Sequence, residues 1–156
     1  LDYAWRLFIP IKNRQHQNVS WTTRTILDVT PAYRSAPRGR GLPIKQCLYG
    51  VEYCTQAVLV CEGPADVWRV GPGAVALLGV PPSRWQLLEI VQFEERYLCL
   101  DNDPAGKRAC QQLLSWLAPC RGKTIVIELE DCKDPAEAPE SEIRELRKFI
   151  GTRLLK

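Results

Sequence analysis

Two hydrophobic rhythms divide the chain. Over its first part, apolar positions come in short stretches rich in β-branched and aromatic side chains. Arg6-Leu7-Phe8-Ile9-Pro10-Ile11 reads as a strand, Asn13 to Asn18 as a polar turn, and Val19 to Leu27 (VSWTTRTIL) as a second strand. Pro37 to Pro43 (PRGRGLP) is a Pro/Gly/Arg loop. From Ala57 the apolar residues gather into continuous runs: Ala57 to Cys61, Ala74 to Leu78, Tyr97 to Leu100 and Thr124 to Leu129. Short runs without alternation are what strands covered on both faces look like. Helical stretches lie between them, one over Pro82 to Val91 and a clearer one over Pro104 to Leu117. The second puts Ala109, Cys110, Leu113, Leu114 and Leu117 on one stripe, with Asp103 as a fitting N-cap and Pro104 as a fitting first residue. Strands alternating with helices predict a parallel sheet with crossover helices. Ser141 to Lys156 reads as a charged amphipathic helix. The expected organisation is a basic mixed α+β subdomain over 1–56, an α/β domain of about four parallel strands over 57–140, and a carboxy-terminal helix over 141–156.

Composition narrows the classes. The chain has 156 residues, 46% of them hydrophobic and 25% charged, which suits a folded core and argues against global disorder. No apolar run approaches the ~20 residues of a membrane span, and no signal peptide opens the chain, so neither a membrane nor an exported protein is expected. It begins at Leu1 and contains no Met, which reads as a piece of a longer protein. The 7 cysteines include no Cys-x-x-Cys pair, and His16 is the only histidine, so zinc is not expected; the thiols read as reduced, with Cys61 and Cys99 packing as small hydrophobes.

Charge is uneven. Residues 1–56 carry 8 Lys and Arg against 3 acids, residues 57–140 carry 8 against 13, and residues 141–156 carry 5 against 2. A basic front beside an acidic middle fits a phosphate-binding surface next to a cation-binding site. The acids also fall in informative places. Glu62 follows the first apolar run directly, Asp101 follows the third, and Asp103 comes two residues later. Ligands of an open parallel sheet bind beyond the carboxyl ends of its strands. These three carboxylates are therefore expected on one edge, where a hard divalent cation would relieve their repulsion and serve phosphoryl chemistry.

Glu62-Gly63-Pro64-Ala65-Asp66 resembles the E-G-x-x-D signature of the Toprim domain, and Asp101-Asn102-Asp103-Pro104-Ala105-Gly106 resembles its D-x-D-x-A-G signature. The rest of the chain is similar to bacterial and phage-type (DnaG-like) DNA primases. Leu7-Phe8-Ile9-Pro10-Ile11 resembles their I-x-F-P-I phrase, and Arg24 falls at a strand-end arginine. Ala32-Tyr33-Arg34-Ser35-Ala36-Pro37 resembles K-Y-x-N-S-P, followed by Lys45 and by Leu48-Tyr49-Gly50. Cys132-Lys133-Asp134-Pro135-Ala136-Glu137 resembles a K-D-P-x-E-like turn after the fourth strand. The similarity runs from about residue 6 to about 137. Two departures stand out: Ala32 replaces the lysine before Tyr33, and Glu137 is displaced by one from the acid after Asp134.

The resemblance implies a Toprim, Rossmann-like fold and a primase catalytic core making short RNA primers on single-stranded DNA. Glu62, Asp101 and Asp103 would be catalytic and hold Mg²⁺ or Mn²⁺, with Asp66 and Asp134 supporting. Arg24, Tyr33, Arg34 and Lys45 would hold triphosphate or template. The partners it implies are single-stranded DNA, ribonucleoside triphosphates and a replicative helicase reached through other parts, in the cytoplasm of a bacterial or phage-infected cell. The zinc-binding module of such primases has no Cys/His cluster here to build it, so weak initiation is expected. A Toprim nuclease and a non-catalytic nucleic-acid-binding module are the alternatives. Against a nuclease stands the basic front; against the module stand the intact Glu62, Asp101 and Asp103.

Overall fold

A computed structural model describes residues 3–130 and 132–151. Strands β1 (Arg6–Lys12), β2 (Asn18–Thr25) and β3 (Tyr33–Ser35) form an antiparallel sheet in that order. Its first turn closes on Asn13, whose side-chain oxygen accepts from the amides of Gln15 and Gln17, both at 3.0 Å. Ile9 and Ile11 of β1 are buried while Phe8 and Pro10 between and beside them are exposed, the period of a half-covered strand. Strand β3 is absent from the sequence reading, because three residues are too few to show a period.

The second sheet holds β4 (Ala57–Cys61), β5 (Ala74–Ala76), β6 (Glu95–Leu98) and β7 (Lys123–Val126) in the order β5-β4-β6-β7, all parallel. Helices α1 (Pro64–Val70), α2 (Arg84–Ile90), α3 (Pro104–Leu117) and α4 (Glu140–Phe149) cover it. Alternate strand residues enter different cores. Val58, Val60, Val75 and Leu98 pack with Ile90, Leu113 and Leu117 from α2 and α3. Leu59, Cys61, Ala74, Ala76 and Tyr97 pack with Val67, Val70, Ile143 and Leu146 from α1 and α4. Both faces are covered, so the strands have no polar face to alternate with, as the continuous runs predict.

Three differences from the sequence reading have simple causes. The apolar runs outlast the paired strands, because Leu77, Cys99 and Ile127 stay packed or hydrogen-bonded as the strand ends leave the sheet. Helix α1 spans only seven residues, too short for a readable stripe. Helix α4 begins at Glu140, and the predicted continuation over 152–156 lies outside the described residues. None of the seven cysteines is joined in a disulfide among the described residues.

The two sheets are tied together through α2. Arg14, in the β1–β2 turn, donates to Glu89 at 3.2 Å and lies over the Phe93 ring at 4.4 Å. Gln86 is fully buried, and its side-chain NH₂ donates to the carbonyls of Cys47 at 2.9 Å and Leu77 at 2.6 Å. One amide thus joins the segment after β3 to the chain leaving β5.

Candidate active site

Strands β4 and β6 are neighbours, with Val60 opposite Leu98. The residues that follow them, Glu62 and Asp101, therefore come to the same sheet edge despite their separation in sequence. Asp103 lies one turn on as the N-cap of α3, its Oδ1 accepting from Ala105 N at 2.9 Å and Gly106 N at 2.8 Å. These amides, with Gly106 first in effect, hold its carboxyl below the usual range. Gly106 lets the helix start so close: a Cβ there would stand 2.2 Å from the carbonyl oxygen of Asp101.

The structure gives Asp66 and Asp134 definite work. Asp66 is buried, and its two oxygens accept from Gly63 N at 2.8 Å and Ala136 N at 3.1 Å. It joins the turn after β4 to the 134–137 turn. Burial, against the pull of those amides, raises its pKa to about 6. Asp134 closes its own turn by accepting from Glu137 N at 3.1 Å. Lys133, unassigned by the sequence reading, reaches Asp101 Oδ2 at 3.0 Å. Its position inside the K-D-P motif was the available signal.

Glu62 carries the electrostatic tension. Burial first, and then the negative charges of Asp101 and Asp103, push its carboxyl up to about 7. Its Oε2 is buried with no hydrogen-bond partner. No group of three His, Cys, Asp or Glu side chains among the described residues is gathered closely enough to hold a metal ion. Mg²⁺, however, usually takes only one or two carboxylates and keeps several waters. An orphaned carboxylate oxygen on Glu62, beside Asp101 with the Lys133 ammonium on it, fits such an ion. Asp103 could add only its second oxygen, since Oδ1 caps the helix.

Glu62 and Gly63 also line a cleft of about 270 Å³ with Thr22, Tyr33, Ser35, Ile44, Leu78 and Gly79. The antiparallel sheet forms one wall and the acidic sheet edge the other. Arg24 donates to the Tyr33 hydroxyl at 3.0 Å, with its guanidinium 5.5 Å from that ring's centre, so these two residues stand as a unit beside the cleft. Lys45 is half-buried and held by carbonyls, donating to Gly79 O and to Pro81 O, the latter at 3.0 Å. Burial lowers its pKa while Glu62 opposes the shift. Arg34 is half-buried on β3, where its carbonyl accepts from Thr23 Oγ1 at 3.0 Å. The hydroxyls of Thr22 and Ser35, 3.2 Å apart, belong to the cleft wall and escaped the sequence reading, because nothing local marks a strand residue as lining a cleft.

Residues 59–138 match a family model described as Toprim-like. The DNA primase of Thermotoga maritima is 28% identical over 151 residues, covering 90% of this chain and 27% of that protein. The zinc-binding and RNA polymerase domains of the Aquifex aeolicus primase superpose with a TM-score of 0.81 at 23% identity, covering 95% of this chain and 40% of that one. A DnaG primase catalytic domain bound to ssDNA gives a TM-score of 0.76 at 22% identity, with 92% and 53% covered. The chain spans about a quarter of the length of the curated relatives it matches.

Proposed function

Because this chain belongs to the Toprim-like family, we propose that it is the catalytic core of a DNA primase, joining ribonucleotides into short primers on single-stranded DNA. The observation that carries this reading is the convergence of Glu62 and Asp101 at neighbouring strand ends, with Glu62 facing a cleft that a basic antiparallel sheet closes. A nuclease would need the acids but not the second wall. The Thermotoga maritima DNA primase it resembles over 90% of its length, and the fold shared with a primase domain carrying ssDNA, support the same conclusion. On this reading residues 1–56 are the basic subdomain, 57–140 the catalytic domain and 141–156 a carboxy-terminal helix, acting in the cytoplasm.

Glu62 and Asp101, with the free oxygen of Asp103, would hold Mg²⁺ or Mn²⁺. The bound ion would supply charge neutralisation on the phosphates and activation of the attacking hydroxyl. Asp66 and Asp134 shape the turns that present those acids, and Lys133 balances Asp101 until the cation arrives. Arg24, stacked on Tyr33, offers guanidinium donors to a phosphate entering the cleft. Lys45 sets positive charge behind Glu62, while the apolar wall of Ile44, Leu78 and Pro64 limits water around the triphosphate. A replicative helicase would be a further partner, engaged outside these residues.

The test is synthesis of labelled RNA on a single-stranded DNA template with Mn²⁺, comparing wild type with Asp101→Asn. Short RNA from the wild type and at least a hundredfold less from the variant is expected. Template cleavage without RNA would replace this reading by a nuclease, and neither product would leave a binding module.

A further inference from the structure

A second pocket, of about 210 Å³, lies at the outer edge of β5, away from the acidic site. It is lined by Tyr49, Glu52, Tyr53 and Trp68 over a floor that includes Gly50 and Ala74. Tyr53 and Trp68 are 55% and 46% exposed, an unusual degree for aromatic rings beside one hollow. The pocket is also built, not incidental. Tyr49 pairs with Ala76 through two backbone hydrogen bonds, 2.9 and 3.1 Å, which extends the sheet by one bridge. Its hydroxyl accepts from the Trp68 indole N–H at 2.8 Å and pins the ring. Gly50 then turns at φ 88°, so close to β5 that a Cβ would meet Ala74 O at 2.7 Å. That turn brings Glu52 and Tyr53 over the strand, and Tyr53 is braced edge-on by His16, 5.8 Å between ring centres.

The chemistry is specific. Glu52 Oε2 is buried without a hydrogen-bond partner. Among the described residues no lysine or arginine lines the pocket, so they offer aromatic faces and a carboxylate and no cationic side chain to hold a phosphate. Aromatic faces attract cations, and a carboxylate adds charge-assisted hydrogen bonds. Among cations, arginine fits best. Its planar guanidinium stacks on a ring while its in-plane N–H groups stay free for the acid, and it is more weakly hydrated than an ammonium.

We infer that the Tyr49–Glu52–Tyr53–Trp68 pocket is a docking site for an arginine side chain presented by a basic segment of a partner protein. The site is independent of the acidic centre and does not rest on the primase reading.

The probes are N-acetyl-arginine amide and its neutral isostere N-acetyl-citrulline amide. The readout is the Trp68 indole N–H resonance, identified by its loss in Trp68→Phe. The arginine probe should shift that resonance saturably, with the other indole signals still. Citrulline should bind at least about tenfold more weakly, and so should arginine to Glu52→Gln and to Tyr53→Ala. Thermal unfolding checks that Glu52→Gln folds. If it does not, Tyr53→Ala, which trims an exposed side chain, and the arginine–citrulline comparison on wild type decide. Equal binding of the two probes, or no shift by arginine, overturns the inference. A shift produced by a short oligothymidylate and not by arginine overturns it in favour of base stacking.

Discussion

Gly106 and Asp101 are in backbone contact: a Cβ on Gly106 would stand 2.2 Å from the Asp101 carbonyl oxygen and 3.0 Å from its carbon. The atom in the way is main chain, so no side chain can yield. Gly106→Ala must move either the start of α3 or the loop that carries Asp101. We expect a loss of about 1–3 kcal/mol, the usual cost of overpacking. At this size the melting temperature should fall by about 2–4 °C per kcal/mol. Mn²⁺ affinity should fall as well, since Asp101 is displaced. Calorimetric melting and Mn²⁺ titration check both, and a variant with unchanged affinity would uncouple the glycine from the site.

Glu62→Gln should raise metal-free stability. The Glu62 carboxyl is pushed up to about 7 from an ordinary 4.5 by burial and by Asp101 and Asp103. Because the folded value lies above the unfolded one, the favourable contribution is complete below about 4.5 and is lost as pH rises through about 7. In chelator, the wild type should therefore weaken over that window relative to Glu62→Gln, by on the order of 1–2 kcal/mol after allowing for solvent screening of a half-exposed group. Urea unfolding at pH 5 and pH 8 measures it. Adding Mn²⁺ at pH 8 should stabilise the wild type and not the variant.

Arg24 and Lys45 should separate in their effects. Arg24 is exposed and bonded only to neighbouring Tyr33 in the contacts described, so it can reach phosphate. Arg24→Ala should reduce the log–log salt slope of single-stranded DNA binding by about 0.7 and leave stability unchanged. Lys45 is engaged by the carbonyls of Gly79 and Pro81. Lys45→Ala should cost about 1–2 kcal/mol of stability, from lost charged hydrogen bonds. Anisotropy titrations over salt and denaturant unfolding distinguish the two, and a stability loss in Arg24→Ala with none in Lys45→Ala would reverse the assignment.

Gln86→Ala should be the most damaging of these changes. The side chain is fully buried, and it bonds the carbonyls of Cys47 and Leu77 as well as the amide of Ser83. Removal leaves two buried acceptors unpaired beside a cavity, which costs about 2–4 kcal/mol. Because the residue joins the segment after β3 to the parallel sheet, single-stranded DNA affinity should fall together with stability. Thermal melting and binding at a temperature well below the transition check the two effects.

The sequence by itself determined the parallel sheet and the places of its acids. Runs such as Ala57 to Cys61 carry no polar alternation, the pattern of strands covered on both faces, and the helical stretches between them supply the cover. Glu62 and Asp101 could be assigned to one edge because parallel strands all end on the same side. Asp103-Pro104 could be assigned to a helix start because the capping chemistry is local. Tertiary structure decided what depends on distance through space. It brought Lys133 to Asp101, spent both Asp66 oxygens on backbone amides, and tied Lys45 to two carbonyls instead of leaving it exposed. It also set Thr22 and Ser35 across from Glu62, and gathered Tyr49, Glu52, Tyr53 and Trp68 around one hollow. Hydrophobic period and capping act over a few residues and leave a trace in the letters. A hydrogen bond between segments many residues apart leaves none, because its partners are neighbours only after the core between them has formed.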